Sequence, residues 1–144
     1  MLYTREFFQA VKRSFRDPSG IFVMHSESPI TRPLAFACIR KTLESVFASV
    51  ETLYTFIQMY ATLWSISVAS DSIRPTSNPP EALDNRIREI GIGNLHLVSG
   101  KTIHAMATEY PYIKEILDQP AKIITDSEPD FPDHFTQEVT DLHA

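Results

Sequence analysis

Glycine is scarce in this chain: of 144 residues only Gly20, Gly91, Gly93 and Gly100 are glycines. No pair of them closes a strand with the Gly-x-Gly spacing that lets backbone amides cradle a phosphate or a nucleoside. Cysteine is scarcer still. Cys38 stands alone, which excludes an intramolecular disulfide, and with no second Cys or a His at ligand spacing it reads as a core thiol rather than a metal ligand. No apolar run approaches bilayer-spanning length, and the opening MLYTREFFQAVKR lacks the uninterrupted apolar stretch and small-residue cleavage site of a secretory signal. A cytoplasmic protein with no membrane partner is the expectation. Basic residues are also few, 13 Lys and Arg against 18 Asp and Glu for a net charge of -5. They are scattered, so no nucleic-acid partner is expected, because phosphate neutralisation needs clustered cations.

What is present suits one compact domain with a modest core: 43% of the residues are apolar and 22% charged. The spacing of Phe8, Val11 and Phe15 predicts a helix over residues 2–15, with Thr4 as its cap. The RDPSG turn then leads into Ile21, Phe22, Val23 and Met24, an apolar run too short for a helix. Such a run between turns reads as a strand covered on both faces, as in a parallel sheet. Pro33 fits a first helical turn, and Phe36, Ile39, Leu43, Val46 and Phe47 mark one face of a second helix reaching about Phe47. VETLYTF and LWSISVA alternate in the manner of strands and are close enough to form an antiparallel edge pair. A short helix over Glu81–Ile90 should end at Gly91, LHLVS reads as a short strand, and Lys101–Leu117 as helix broken at Pro111.

Helix, buried strand, helix and antiparallel pair make an α/β pattern, half of a doubly wound sheet. Since a parallel strand needs parallel neighbours, Ile21–Met24 implies partners encoded before Met1. The divisions expected are a half-domain over 1–72, a Pro- and Ser-rich linker over 73–80, a helical extension over 81–125 and a loose acidic tail over 126–144.

Four stretches, in order, carry a resemblance. LYTREFFQAVKRSFRDPSGIFVMHSESP is similar to the helix, turn and strand of spermidine synthases (polyamine aminopropyltransferases), although that family has a shorter Pro-Gly-Gly where RDPSG stands. TFIQMYATLWSISVAS resembles the antiparallel pair flanking the family's Thr-Tyr-Pro-Ser-Gly loop. LHLVSGKTIHAMATEYPYIKEIL resembles its C-terminal stretch, and ITDSEPDF its ending. The resemblance covers nearly the whole chain. It implies the C-terminal half of a Rossmann-like, methyltransferase-type doubly wound sheet, ending in an antiparallel strand pair. The implied reaction transfers an aminopropyl group from decarboxylated S-adenosylmethionine, a co-substrate rather than a cofactor, to a putrescine-class diamine. Chemically this requires deprotonating an ammonium and holding two cations together, hence acidic residues in a water-poor pocket.

In that family an Asp-rich loop supplies the base and a Gly-rich loop holds the donor, and neither is in this chain. The expectation is therefore a truncated chain inactive alone, with no catalytic residue, cofactor or metal of its own. A second reading is a non-catalytic homologue acting as dimerisation partner of a full-length enzyme, since family members commonly form homo-oligomers. A methyltransferase-like domain with another acceptor fits the LYTREFF and SESP stretches less well.

The resemblance implies three substrate-binding residues. His25 occupies the position of a Gln that helps to place the diamine, and is either a pocket-lining group or a solvated strand-end histidine. Glu27 matches a family Glu, where an acidic group suits a cationic substrate, against a plain surface carboxylate. Tyr60 matches the loop Tyr, although QMYATLW lacks the loop's Pro, Ser and Gly. Trp64 reads as core because it alternates with Ile66 and Val68. A structural hydrogen bond is expected of His104, and a surface position for His96, His134 and His143. Asp126, Glu128 and Asp130 lack the periodicity of a calcium loop and read as solvated.

Overall fold

The computed structural model describes residues 2–93 and 95–130; His134, His143 and most of the expected acidic tail lie outside them. The first helix, α1 (Arg5–Arg13), starts at Thr4, whose hydroxyl accepts the Phe7 N–H at 3.3 Å. Glu6 in the first turn and Lys12 and Arg13 in the last complement the helix dipole. The chain then runs through β1 (Ile21–His25), α2 (Pro33–Glu44), β2 (Ser49–Ile57) and β3 (Thr62–Ser70). Pro33 opens α2, where its missing N–H would have had no helical partner anyway.

The three strands form one sheet in the order β1-β3-β2, antiparallel throughout. VETLYTF and LWSISVA do pair, with Tyr54 opposite Ser65 and Leu53 opposite Ile66. Beside them β1 differs from the expected strand. It runs antiparallel to β3, from Ile21 opposite Ser70 to His25 opposite Ile66, and no described strand pairs with its other edge. Only one of its faces is covered: Phe22 and Met24 pack on the core, while Ile21 and Val23 are 47% and 57% exposed. A continuous apolar run does not distinguish burial on two faces from burial on one beside an open apolar face, and here the second holds.

The covered face carries α1 and α2. Phe8, Cys38, Ile39, Leu43, Phe47, Val50, Ala69 and Ile124 make the main core, and Phe36, Tyr54 and Ile113 a second cluster. Burying these side chains is the dominant stabilising term, at about 25 cal/mol per Å² of apolar surface. Ile124 closes the core from far along the chain. Its carbonyl accepts the Arg5 N–H at 2.8 Å, and its own N–H reaches Thr42 Oγ1 at 2.9 Å.

Glu51 departs from the alternation of β2: it is 6% exposed, receives the Thr76 N–H at 3.0 Å and the Thr76 hydroxyl, and meets Arg74 Nε at 3.4 Å. It thereby fastens the Pro-rich segment after β3 to the sheet. Beyond that segment come α3 (Pro80–Glu89), α4 (Gly100–Met106) and α5 (Pro111–Leu117), the last two separated as Pro111 leads one to expect. A side chain at Gly100 would collide with the Pro80 carbonyl, so glycine there permits the close approach of α4 to α3. His104 Nε2 lies 2.8 Å from the Asn78 carbonyl, the structural bond expected of it. LHLVS is not a strand: its described residues are irregular, and Leu97 is 86% exposed, because it finds no partner edge. No described helix is long and apolar enough to cross a membrane.

Candidate functional site

Where β1 runs out, the chain crosses the end of β3 and meets the turn joining β2 to β3. Side chains on one face of an antiparallel pair lie opposite or diagonal to one another. His25 is opposite Ile66, so its diagonal neighbour is Trp64. The indole N–H of Trp64 donates to His25 Nδ1 at 3.0 Å, with the ring centroids 6.1 Å apart. A neutral imidazole that accepts at Nδ1 carries its proton on Nε2, leaving a donor on the side away from Trp64.

Tyr60 also packs on this indole. It ends the 3-10 turn Gln58–Tyr60, and Ala61 follows in the left-handed conformation at φ 49°. The Tyr60 and Trp64 ring centroids are 4.7 Å apart. Trp64 is thus not core, as its alternation suggests, but the half-buried bridge between His25 and Tyr60. The alternation itself is real; it places Trp64 on the face with Ile21 and Val23, which is open along β1 although Glu51 and Val68 are covered on it further across the sheet. The resulting cluster offers aromatic faces, which attract ammonium groups through the ring quadrupole.

Glu27 lies two residues beyond His25 in an unusual backbone conformation, φ 71°. Its carbonyl accepts the Ser65 N–H at 3.1 Å and the Ser65 hydroxyl at 2.6 Å. Its carboxylate, with the side chain 23% exposed, is 3.4 Å from Arg32 Nη1. Three expected residues therefore share one end of the sheet, His25 and Tyr60 through Trp64, and Glu27 through the residue next to Trp64.

Beneath them the sheet is lined with small hydroxyl residues. The buried Ser26 hydroxyl donates to Ser67, which lies 3.3 Å from Thr52 Oγ1. Arg40 Nη1 donates to Thr52 at 2.8 Å and meets Glu109 at 3.4 Å. The chain of contacts runs from the residue after β1 through β3 to β2 and ends beside Tyr54, whose phenol is pushed well above its ordinary range by burial and secondarily by the Glu109 charge. Burial likewise raises the Cys38 thiol, consistent with an inert core residue. Asp126, Glu128 and Asp130 are exposed, as expected of them, and the Asp126 N–H donates to the Glu6 carboxylate at 3.0 Å. No group of acidic, His or Cys side chains suited to a metal ion occurs among the described residues.

No protein-family model matches the chain, but known proteins do. It is 36% identical over 125 residues to the polyamine aminopropyltransferase of Nitrosomonas europaea, an alignment covering 87% of this chain and 38% of that protein. To the polyamine aminopropyltransferase of Sulfurisphaera tokodaii it is 34% identical over 129 residues, covering 90% of this chain and 42% of the relative. Its fold superposes on the crystal structure of spermidine synthase from Thermotoga maritima with a TM-score of 0.70 at 23% identity, over 81% of this chain and 38% of that one. A spermidine synthase in complex with the transition state analogue AdoDATO gives the same TM-score and covers 39% of that chain. The chain spans about two fifths of the length of the curated relatives it matches. Along most of its length it belongs with the polyamine aminopropyltransferases, as the counterpart of part of such a protein built on part of the spermidine synthase fold.

Proposed function

We propose that this chain supplies the diamine-facing wall of an aminopropyltransferase site in spermidine formation, and that by itself it does not catalyse the transfer. The observation that carries the reading is the contact of Trp64 with both His25 and Tyr60, at the end of the sheet where the Glu27 carbonyl bonds to Ser65, the residue next to Trp64. Aromatic faces and a carboxylate together suit an alkylammonium group. The transfer forms a carbon–nitrogen bond between a putrescine-class amine and the aminopropyl carbon beside the sulfonium of decarboxylated S-adenosylmethionine. That carbon–sulfur bond breaks, methylthioadenosine leaves, and the amine loses a proton. Within this chain, Glu27 would hold the charge of the diamine and the Tyr60–Trp64 pair would flank its methylene chain. The donor-holding and proton-accepting groups are those the resemblance assigns to Gly-rich and Asp-rich loops that this sequence does not contain.

Incubation with putrescine and decarboxylated S-adenosylmethionine, read as methylthioadenosine release, tests the proposal. The isolated chain is expected to release none, and to gain turnover when supplied with the remaining portion of a relative such as the Nitrosomonas europaea enzyme. Robust turnover by the chain alone would show that the chemistry has been misplaced.

The alternative, a non-catalytic partner that pairs with a full-length enzyme, draws on the open edge of β1 and the exposure of Ile21 and Val23 beside it. Co-elution with a full-length relative supports that reading, and a monomer that never co-elutes counts against it.

A further inference from the structure

We infer that Ser65 is a positioning residue for the Glu27 carboxylate. The inference deepens the diamine reading and rests on it. Past His25 the β1–β3 ladder changes count. The Ser26 N–H donates to the Ser65 carbonyl at 3.0 Å, yet the Ser65 N–H donates not to Ser26 but to Glu27 at 3.1 Å. Two residues of one chain thus face one of the other, the arrangement of a β-bulge, which re-aims a side chain at the end of a strand. The extra residue takes Glu27 out of the alternation that runs Ile21, Val23, His25.

Glu27 meets this geometry at φ 71°, a left-handed conformation that an L-residue other than Gly, Asn or Asp seldom adopts. Such a conformation persists only where its surroundings over-determine it. On one side Ser65 supplies a second bond to the same carbonyl, its hydroxyl donating at 2.6 Å. On the other, the Ser28 hydroxyl lies 3.0 Å from Thr62 Oγ1 and accepts the Ile30 and Thr31 N–H groups at 3.2 Å each. Ser65 is fully buried. Its hydroxyl acts through Glu27, holding the turn that decides where the carboxylate points.

The test is carbon-detected NMR of the full chain, following the Glu27 side-chain carboxyl signal through an acid titration, first without ligand and then with putrescine. Ser65→Ala is expected to move both the Glu27 signal and its titration midpoint and to weaken putrescine binding about tenfold, the usual worth of one such bond. Ser67→Ala, which removes a neighbouring buried hydroxyl of the same strand, should leave the Glu27 midpoint in place. If Ser65→Ala loses its far-ultraviolet circular dichroism, Ser65→Cys, close in size but only a weak donor, carries the same measurement. An unchanged Glu27 signal in a folded Ser65 variant overturns the inference. Absence of any putrescine-induced shift in the unaltered chain would instead strike the diamine reading, while the ligand-free titration still decides the role of Ser65.

Discussion

Lys12 and Asp71 stand 59 residues apart in sequence and 2.8 Å apart in space. The same carboxylate accepts the Ala48 N–H at 3.1 Å, and Lys12 also donates to the Val46 carbonyl at 2.8 Å, so one ion pair ties α1 to both ends of the β2–β3 hairpin. The Lys12 bond, then the Ala48 N–H, hold the Asp71 carboxyl below its ordinary range. A lowered carboxyl adds stability that is fully present above the ordinary Asp value of about 3.9 and is lost as pH falls through the lower folded value. Asp71→Asn is therefore expected to cost up to about 1 kcal/mol at neutral pH, as for a partly exposed pair. Urea melts at several pH values should show the gap between variant and parent closing below pH about 3.9; a gap independent of pH would refute the assignment.

The single tryptophan gives a direct reading of the Trp64–His25 bond. His25→Ala removes the acceptor and should shift Trp64 emission towards that of a solvated indole. His25→Gln, which restores the residue type expected from the resemblance, presents an amide oxygen to the indole N–H and should leave emission near that of the parent. Equal spectra for the two variants would show that the indole does not depend on this acceptor.

Arg40 joins α2 to the sheet and to Glu109 with its side chain only 12% exposed. Arg40→Ala leaves Thr52 and Glu109 short of a donor near the buried Tyr54, and is expected to cost about 1–3 kcal/mol in urea unfolding. The exposed Arg86, paired with Glu89 on α3, provides the comparison: Arg86→Ala should change stability by less than about 0.5 kcal/mol. Similar losses from both would mean that the polar chain across the sheet contributes nothing beyond a surface pair.

A Lys on the exposed face of β1 should discourage strand-to-strand association without touching the core. On the reading of this chain as a pairing partner, Val23→Lys is expected to associate less than the unaltered chain in sedimentation, with its unfolding midpoint little changed. Identical sedimentation of the two would show that the β1 edge is not what draws copies together.

Much of this fold is legible in the amino-acid sequence. Thr4 as a cap, Pro33 at a helix start, the β2–β3 pairing and the break at Pro111 are local effects of sequence on backbone, and each stands where expected. The long-range features are not legible in this way. Nothing in the apolar run at Ile21–Met24 reveals that its open face lies beside Trp64, and without that neighbour the alternation of Trp64 points to the core. LHLVS has strand-like composition but no edge to join. The resemblance names three positions of the candidate site, yet it names neither the indole that contacts both His25 and Tyr60 nor the hydroxyl that bonds to the Glu27 carbonyl. A bulge is a mismatch between two strands, and neither strand carries it alone.

Ile124 bonds to the start of α1 through its carbonyl and, across 82 residues of sequence, to Thr42 through its N–H. During translation neither bond can form until the ribosome has released residue 124 from its exit tunnel, although the helices and hairpin that await it have emerged earlier. The hydrophobic seat of Ile124 between α1 and α2 thus stays open until then, and a nascent chain stalled short of that point would expose Phe8 and Leu43 to chaperones.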